Sequence, residues 1–124
     1  MTTVPPIELR SSDGSLILTL DEKGVGGWCQ VHLVSSGVSR PLGAETMKYI
    51  ASHLVSFLKE TESTRGLRWV LNLSELHASA YGEHVQGETI LHFQDANGKM
   101  FARLALTLAE RKQWMETLSQ YTGE

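Results

Sequence analysis

The sequence predicts an α+β fold, antiparallel β-meanders carrying two helices in the order βββα-ββββα. Three features predict it. Asn97-Gly98 lies between two alternating apolar runs, the strongest short hairpin signal, because a two-residue type I′ turn needs φ > 0 at both positions. Thr107-Leu108-Ala109-Glu110 fits a capping box and marks where a helix begins. Met47, Ile50, Ala51, Leu54, Val55 and Leu58 recur at helical spacing as an apolar stripe.

With Asn97-Gly98 as the loop, Ala96 faces Lys99. The ladder then pairs Asp95 with Met100, Phe93 with Ala102, Leu91 with Leu104 and Thr89 with Leu106. That face is largely apolar. The alternate face pairs Gln94 with Phe101, His92 with Arg103 and Ile90 with Ala105, and is mostly polar. A one-residue slip would exchange the two faces, so turn and pattern independently select this register. In the helix that follows, Leu108, Trp114, Met115 and Leu118 share one side. Arg111 falls in the same arc, where its stem can pack while its head reaches water.

Taken in order, residues 1–5 read as a short tail. Asp13-Gly14 is a second two-residue turn, pairing Leu9 with Leu18 and Ile7 with Leu20 on an apolar face. Arg10 with Ile17 and Glu8 with Thr19 make the other face. Gly24-Val25-Gly26-Gly27 invites a phosphate-loop reading, but such loops open a helix. Here an alternating strand follows, with Cys29, Val31 and Leu33 facing the core, so the glycines read as a strand connector. Residues 35–43 read as a polar loop carrying Arg40-Pro41, and the first helix spans about 44–60. Phe57 lies at the edge of its stripe, and Tyr49 and His53 stand one turn apart on the outer side. Residues 61–66 connect the halves. A strand over 67–73 places Trp69, Leu71 and Leu73 on one face and Arg68, Val70 and Asn72 on the other. Residues 74–88 are the least regular, with a short strand expected at 78–84 and bends at Gly82 and Gly87.

At 124 residues the chain suits a single domain over 1–124. Its halves, 6–60 and 66–121, each end a meander in a helix, which allows an internal structural repeat. This element order is similar to that of the single-stranded DNA-binding regulators of the Whirly type, in which sheet-then-helix occurs twice. The resemblance covers nearly the whole chain and implies a sheet-and-helix fold. It lies in element order alone, and no residue is carried over from it.

Eleven Lys and Arg against 14 Asp and Glu leave a net charge of −3, which weighs against general polyanion binding while leaving room for a local basic patch. Cys29 is the sole cysteine, so no intrachain disulfide forms. No signal-peptide run or segment of transmembrane length is present, so no membrane partner is expected and a reducing cytoplasmic setting is the natural expectation.

No Gly-x-Ser-x-Gly elbow, His-Glu-x-x-His pair or dinucleotide fingerprint appears, so no catalytic residue is assigned. A small enzyme or metal protein therefore ranks below a binding protein. His32, His53, His77, His84 and His92 make no ligand-spaced pair, and no metal or cofactor is expected. His77 and His84, close in sequence to Glu75, Glu83 and Glu88, form the one loop that could hold an ion. Cys29 and His32, three apart on a strand, point to opposite faces and cannot act as nucleophile and base.

Two sets of residues are binding candidates. His92, Gln94, Phe101 and Arg103 share the polar sheet face, joined by Arg68 and Asn72. An aromatic beside Arg and His on a sheet is a surface that stacks bases and holds phosphates. Tyr49 and His53 on the first helix, with Trp114 and Tyr121 on the second, are the aromatic anchors that protein interfaces favour. Trp114 reads equally well as a core residue. Open sheet edges offer a second route to self-association. The expected function is a non-enzymatic binding or interaction module, with a partner protein or itself as a homodimer. The alternative is a single-stranded nucleic-acid binder using the polar face.

Overall fold

Two antiparallel four-stranded meanders, each followed by a helix, make up the computed structural model, which describes residues 5–20, 27–60 and 66–122. The first half holds β1 (Ile7–Arg10), β2 (Gly14–Leu20), β3 (Trp28–Ser35), β4 (Val38–Thr46) and α1 (Met47–Leu58). The second holds β5 (Arg68–Asn72), β6 (Ser79–Val85), β7 (Glu88–Gln94), β8 (Met100–Leu106) and α2 (Leu108–Ser119). The α+β class and the meanders are as the sequence predicts. The expected tail at 1–4, the glycine-rich stretch at 24–26 and the linker at 61–65 lie outside the described residues.

The first half has one strand more than expected. Residues expected as a polar loop form β4, because Ser36 and Gly37 take φ of 53° and 78° and close a two-residue hairpin on the Ser35–Val38 pair. Pro41 is tolerated because β4 is an edge strand. Only Leu42, Gly43 and Ala44 of this strand are buried, which left its amphipathic signal too short to read. With β4 running to Thr46, α1 starts later than expected, capped by the Thr46 hydroxyl accepting from the Tyr49 N–H at 3.2 Å.

Both turns read from the sequence differ in detail. In the first hairpin Ile7 pairs with Leu18 and Leu9 with Leu16, two residues from the expected ladder. The loop is Ser12-Asp13, closed by the Ser11 N–H donating to the Gly14 carbonyl at 2.8 Å. A two-residue shift preserves side-chain parity, so Leu9, Leu16, Leu18 and Leu20 still face the core. Gly14 is a strand residue whose missing Cβ matters: one built there lies 2.2 Å from the Val34 carbonyl oxygen on β3. Gly14→Ala is accordingly expected to cost about 1–3 kcal/mol in a urea titration. An unchanged midpoint would contradict that packing.

In the β7–β8 hairpin the expected pairs from Thr89–Leu106 to Phe93–Ala102 all form. Two departures cancel. The loop holds three residues rather than two, with the Asp95 N–H donating to Lys99 O at 3.0 Å, and Gln94 pairs with Met100, leaving Phe101 as a bulge. Gly98 has φ of 80° but Asn97 is not left-handed, so the turn is not type I′. That geometry occurs instead at Gln86-Gly87, with φ of 50° and 83°. A second bulge lies at Val70, so Val70 and Leu71 are both buried while Trp69, expected on one face with Leu71 and Leu73, turns outward.

The helices bury one continuous core with both sheets. Phe57, expected at the stripe's edge, is fully buried against Gly82, which lies within β6 rather than at a bend. The capping box of α2 is present, with Thr107 Oγ1 accepting from Glu110 N–H and Glu110 Oε1 accepting from Thr107 N–H. Trp114 and Leu118 are its buried residues, whereas Leu108, expected on the same side, is exposed. The Arg111 head does not extend into water. It donates to the carbonyls of Leu58 and Glu60, satisfying acceptors at the end of α1.

The halves are joined reciprocally. Ala44 of β4 and Ser74, just after β5, form a two-bond antiparallel bridge. The displacement along the chain that carries the cap Thr46 onto Thr107 also carries Ala44 onto Ala105 and Asp13 onto Ser74. The Ala105 N–H donates to Asp13 Oδ2 at 3.0 Å, so the two contacts are equivalents, as in an isologous dimer. The same displacement relates Arg40 to Phe101, and these two stack on each other, the guanidinium 3.7 Å from the ring centre. The expected structural repeat is thus a repeat of contacts. Trp114 Nε1 donates to Arg10 O on β1 at 2.8 Å, and the Tyr49 hydroxyl accepts from Asn72 N–H on β5 at 3.1 Å. Each of the four edge strands is therefore met from the other half, at one point or more, which blunts the edges.

Candidate functional site

Antiparallel pairing places side chains of neighbouring strands directly side by side. On the outer face of the β5–β8 sheet it aligns Trp69 with Tyr81, Tyr81 with His92 and His92 with Arg103. With strands about 4.8 Å apart this row spans roughly 14 Å. Asn72, Ser79 and Gln94 form the next row, and Glu83 and Ile90 lie on the other side.

The rows are tied together. Gln94 Nε2 donates to the Tyr81 hydroxyl at 3.4 Å, and Ser79 Oγ donates to Asn72 Oδ1 at 3.0 Å. His92 Nε2 lies 3.3 Å from Glu83 Oε1. Arg103 is exposed and makes no ion pair with a described residue. The face therefore carries one uncommitted cation and one carboxylate already engaged.

At the β5 edge the face continues onto α1. Tyr49 and His53 pack with ring centres 4.1 Å apart and planes tilted by 36°, and His53 meets Trp69 edge-on at 5.6 Å. His53 Nδ1 donates to the Tyr49 carbonyl at 2.9 Å, because a carbonyl can only accept, so the other ring nitrogen is the bare one in the neutral form. Trp69 is 45% exposed. It is the hinge between sheet face and helix flank.

Of the sheet-face candidates, His92, Gln94, Arg103 and Asn72 come together here. Phe101 does not, because its bulge sends it to the junction of the halves. There it lines a groove of about 410 Å³ with Arg40, Pro41, Leu76 and Asp95. Arg68 also departs. It pairs with Gly82 on the inward row and forms an ion pair with Glu60.

Of the interface candidates, Tyr49 and His53 flank the face. Trp114 is 1% exposed and is a core residue, and Tyr121 packs partly against the core. Trp69 and Tyr81 were missed. The consecutive apolar pair Val70-Leu71, which breaks strand alternation, was the available signal for the bulge that turns Trp69 out.

The loop suggested for an ion is divided by the fold, with His84 inward and buried and Glu83 outward beside His92. Among the described residues no three His, Cys, Asp or Glu side chains are grouped to hold a metal ion. Cys29 is fully buried, and no described helix is long and apolar enough to cross a membrane. No family model matches the sequence, and no curated protein matches it.

Proposed function

We propose that this protein is a non-enzymatic binding module of the cytoplasm. Its recognition surface is the outer face of the β5–β8 sheet with Tyr49 and His53 on the flank. The row Trp69, Tyr81, His92 and Arg103 carries the reading. Trp, Tyr and Arg are the side chains that dominate interface energetics, and here they are presented on paired strands rather than on a loop. The near-neutral balance of Arg103 against Glu83 and the net charge of −3 favour a protein surface over a polyanion. A second copy of the chain is the first partner to test.

A second reading is single-stranded nucleic acid. It is supported by rings on three consecutive strands, by Arg103 at the end of their row, and by the Asn72 and Gln94 amides beside them. Such a layout stacks bases and reaches their edges.

The test is light scattering on the whole chain, with anisotropy of labelled single-stranded DNA and RNA at two salt concentrations. Trp69→Ala, at an exposed position, is expected to keep the circular dichroism spectrum and weaken self-association by roughly 30-fold, a hot-spot loss of about 2 kcal/mol. A monomer whose anisotropy rises in a salt-sensitive way, and loses that rise in Arg103→Ala, selects the nucleic-acid reading. A folded monomer that binds neither, with pull-down partners unchanged by Trp69→Ala, rejects this face.

A further inference from the structure

The groove at the junction of the halves lies apart from the outer face, and the proposed function does not use it. The Arg40–Phe101 stack stands at one end and separates it from a second groove of about 220 Å³ beside Leu33, Ser35 and Val38. The displacement that relates Arg40 to Phe101 also carries Ser35 onto Ala96 and Pro41 onto Ala102, so the two grooves are equivalents. The first is nevertheless the larger, at about 410 Å³. One loop makes the difference. Residues 11–13 join β1 to β2, whereas the longer segment 73–78 joins β5 to β6 and sets Leu76 and Ala78 on the groove wall. Leu76 is flanked by Glu75 and His77, both left-handed with φ of 72° and 57°, conformations that cost free energy in residues other than glycine. The Leu73 N–H donates to Ala78 O and the Leu76 N–H to Ser74 O, both at 2.9 Å, so the loop is closed on itself. It holds a leucine that is 51% exposed, which adds nothing to the core. A strained loop that displays an apolar side chain over a groove points to a ligand.

The groove sets one cation beside an apolar wall. Arg40 is exposed, and no described residue takes a hydrogen bond or ion pair from it. A guanidinium stacked by its face on a ring keeps its in-plane N–H donors, and that fork matches the two oxygens of a carboxylate. Pro41, Leu76 and Ala78 supply the wall next to it. Asp95 is the carboxylate on the lining, and its Oδ1 already accepts from the N–H groups of Asn97 and Lys99, both at 3.0 Å. Its Oδ2 takes no hydrogen bond from a described residue and is left to accept one. Glu75 and His77 do not line the groove.

We propose that this groove binds the C-terminal residue of a partner polypeptide, one with an apolar side chain. A chain end carries a carboxylate, a side chain and an amide N–H on a single Cα. Arg40 answers the carboxylate, the Leu76 wall takes the side chain, and Asp95 Oδ2 accepts from the N–H. The stack stops the groove at one end, which suits a chain terminus. An internal acidic residue fits less well. Its side chain would go to Arg40 and leave the apolar wall unfilled, and its chain would need an exit at both ends.

The experiment measures fluorescence anisotropy of labelled Gly-Ser-Gly-Ser peptides extended by a final Val, Leu, Ile or Phe, titrated with the whole chain. At least one free-acid peptide is expected to bind, and its C-terminal amide to bind about tenfold more weakly. Arg40→Gln should weaken the free acid by a similar factor and leave the amide unchanged. Leu76→Ala, at an exposed position, should weaken both forms while keeping the circular dichroism spectrum. Binding by none of these peptides, equal binding of acid and amide, or undiminished binding by Arg40→Gln overturns the proposal. A peptide amide with an internal Glu that binds as tightly as the free acid overturns the assignment to a chain end. Should a variant not fold, the backbone amide signals of wild type decide by magnetic resonance. Shifts at Ala78 and Asn97 with the acid and not the amide support the proposal, and shifts elsewhere or equal shifts overturn it.

Discussion

Trp114→Ala is expected to lower the unfolding free energy by about 3–5 kcal/mol, the range for removing a large buried aromatic. The side chain is among the largest fully buried ones in the molecule. Its indole N–H also bonds the Arg10 carbonyl, so one residue fastens α2 to the edge of the other half. Against a typical total of about 5–15 kcal/mol, that loss threatens the folded state itself. Trp114→Phe separates the two contributions, since it keeps most of the apolar area but loses the N–H. It should cost about 1–3 kcal/mol, between wild type and the alanine variant. Urea titrations of both variants check this. An alanine variant within about 1 kcal/mol of wild type would mean that Trp114 is not the core residue described.

The second large effect is expected at Gly82. A Cβ built there lies 2.3 Å from Phe57 Cζ, and the ring cannot move aside easily because it is fully buried and stacked on His84. Gly82→Ala should cost about 1–3 kcal/mol, and Gly82→Val more. The mechanism can be checked by a double-mutant cycle. Phe57→Leu shortens the ring, so Gly82→Ala should cost less in that background, with a coupling of about 0.5–3 kcal/mol. Additive costs would show that Gly82 is required for another reason.

How much of the candidate site the sequence revealed can be followed through four residues. His92 and Arg103 were legible as partners because alternation over 89–106 and the hairpin signal constrained each other, and the structure pairs them. Phe101 was assigned to the same face and lies elsewhere. The three-residue loop and the bulge compensate, so the distant register survives while the residue at the bulge does not keep its face. Trp69 failed in the opposite direction. Its strand was read as alternating despite the consecutive Val70-Leu71, and the bulge at Val70 reverses parity and brings Trp69 out beside Tyr81.

The sequence by itself determined what depends on neighbours along the chain. The capping box at Thr107 is there because cap and partner are three residues apart and need no tertiary help. The buried stripe of α1 and the inward Cys29, Val31 and Leu33 follow from periodicity alone. Only the tertiary structure decided what depends on contacts distant in sequence. Arg68 was lost to Glu60, Trp114 was taken into the core by Arg10, and His84 was enclosed by Phe57 and Thr89. A buried polar group must find its hydrogen-bond partner wherever the fold supplies one. Side-chain parity along a strand reverses with a single extra residue, so one bulge chosen by packing decides which residues a face displays.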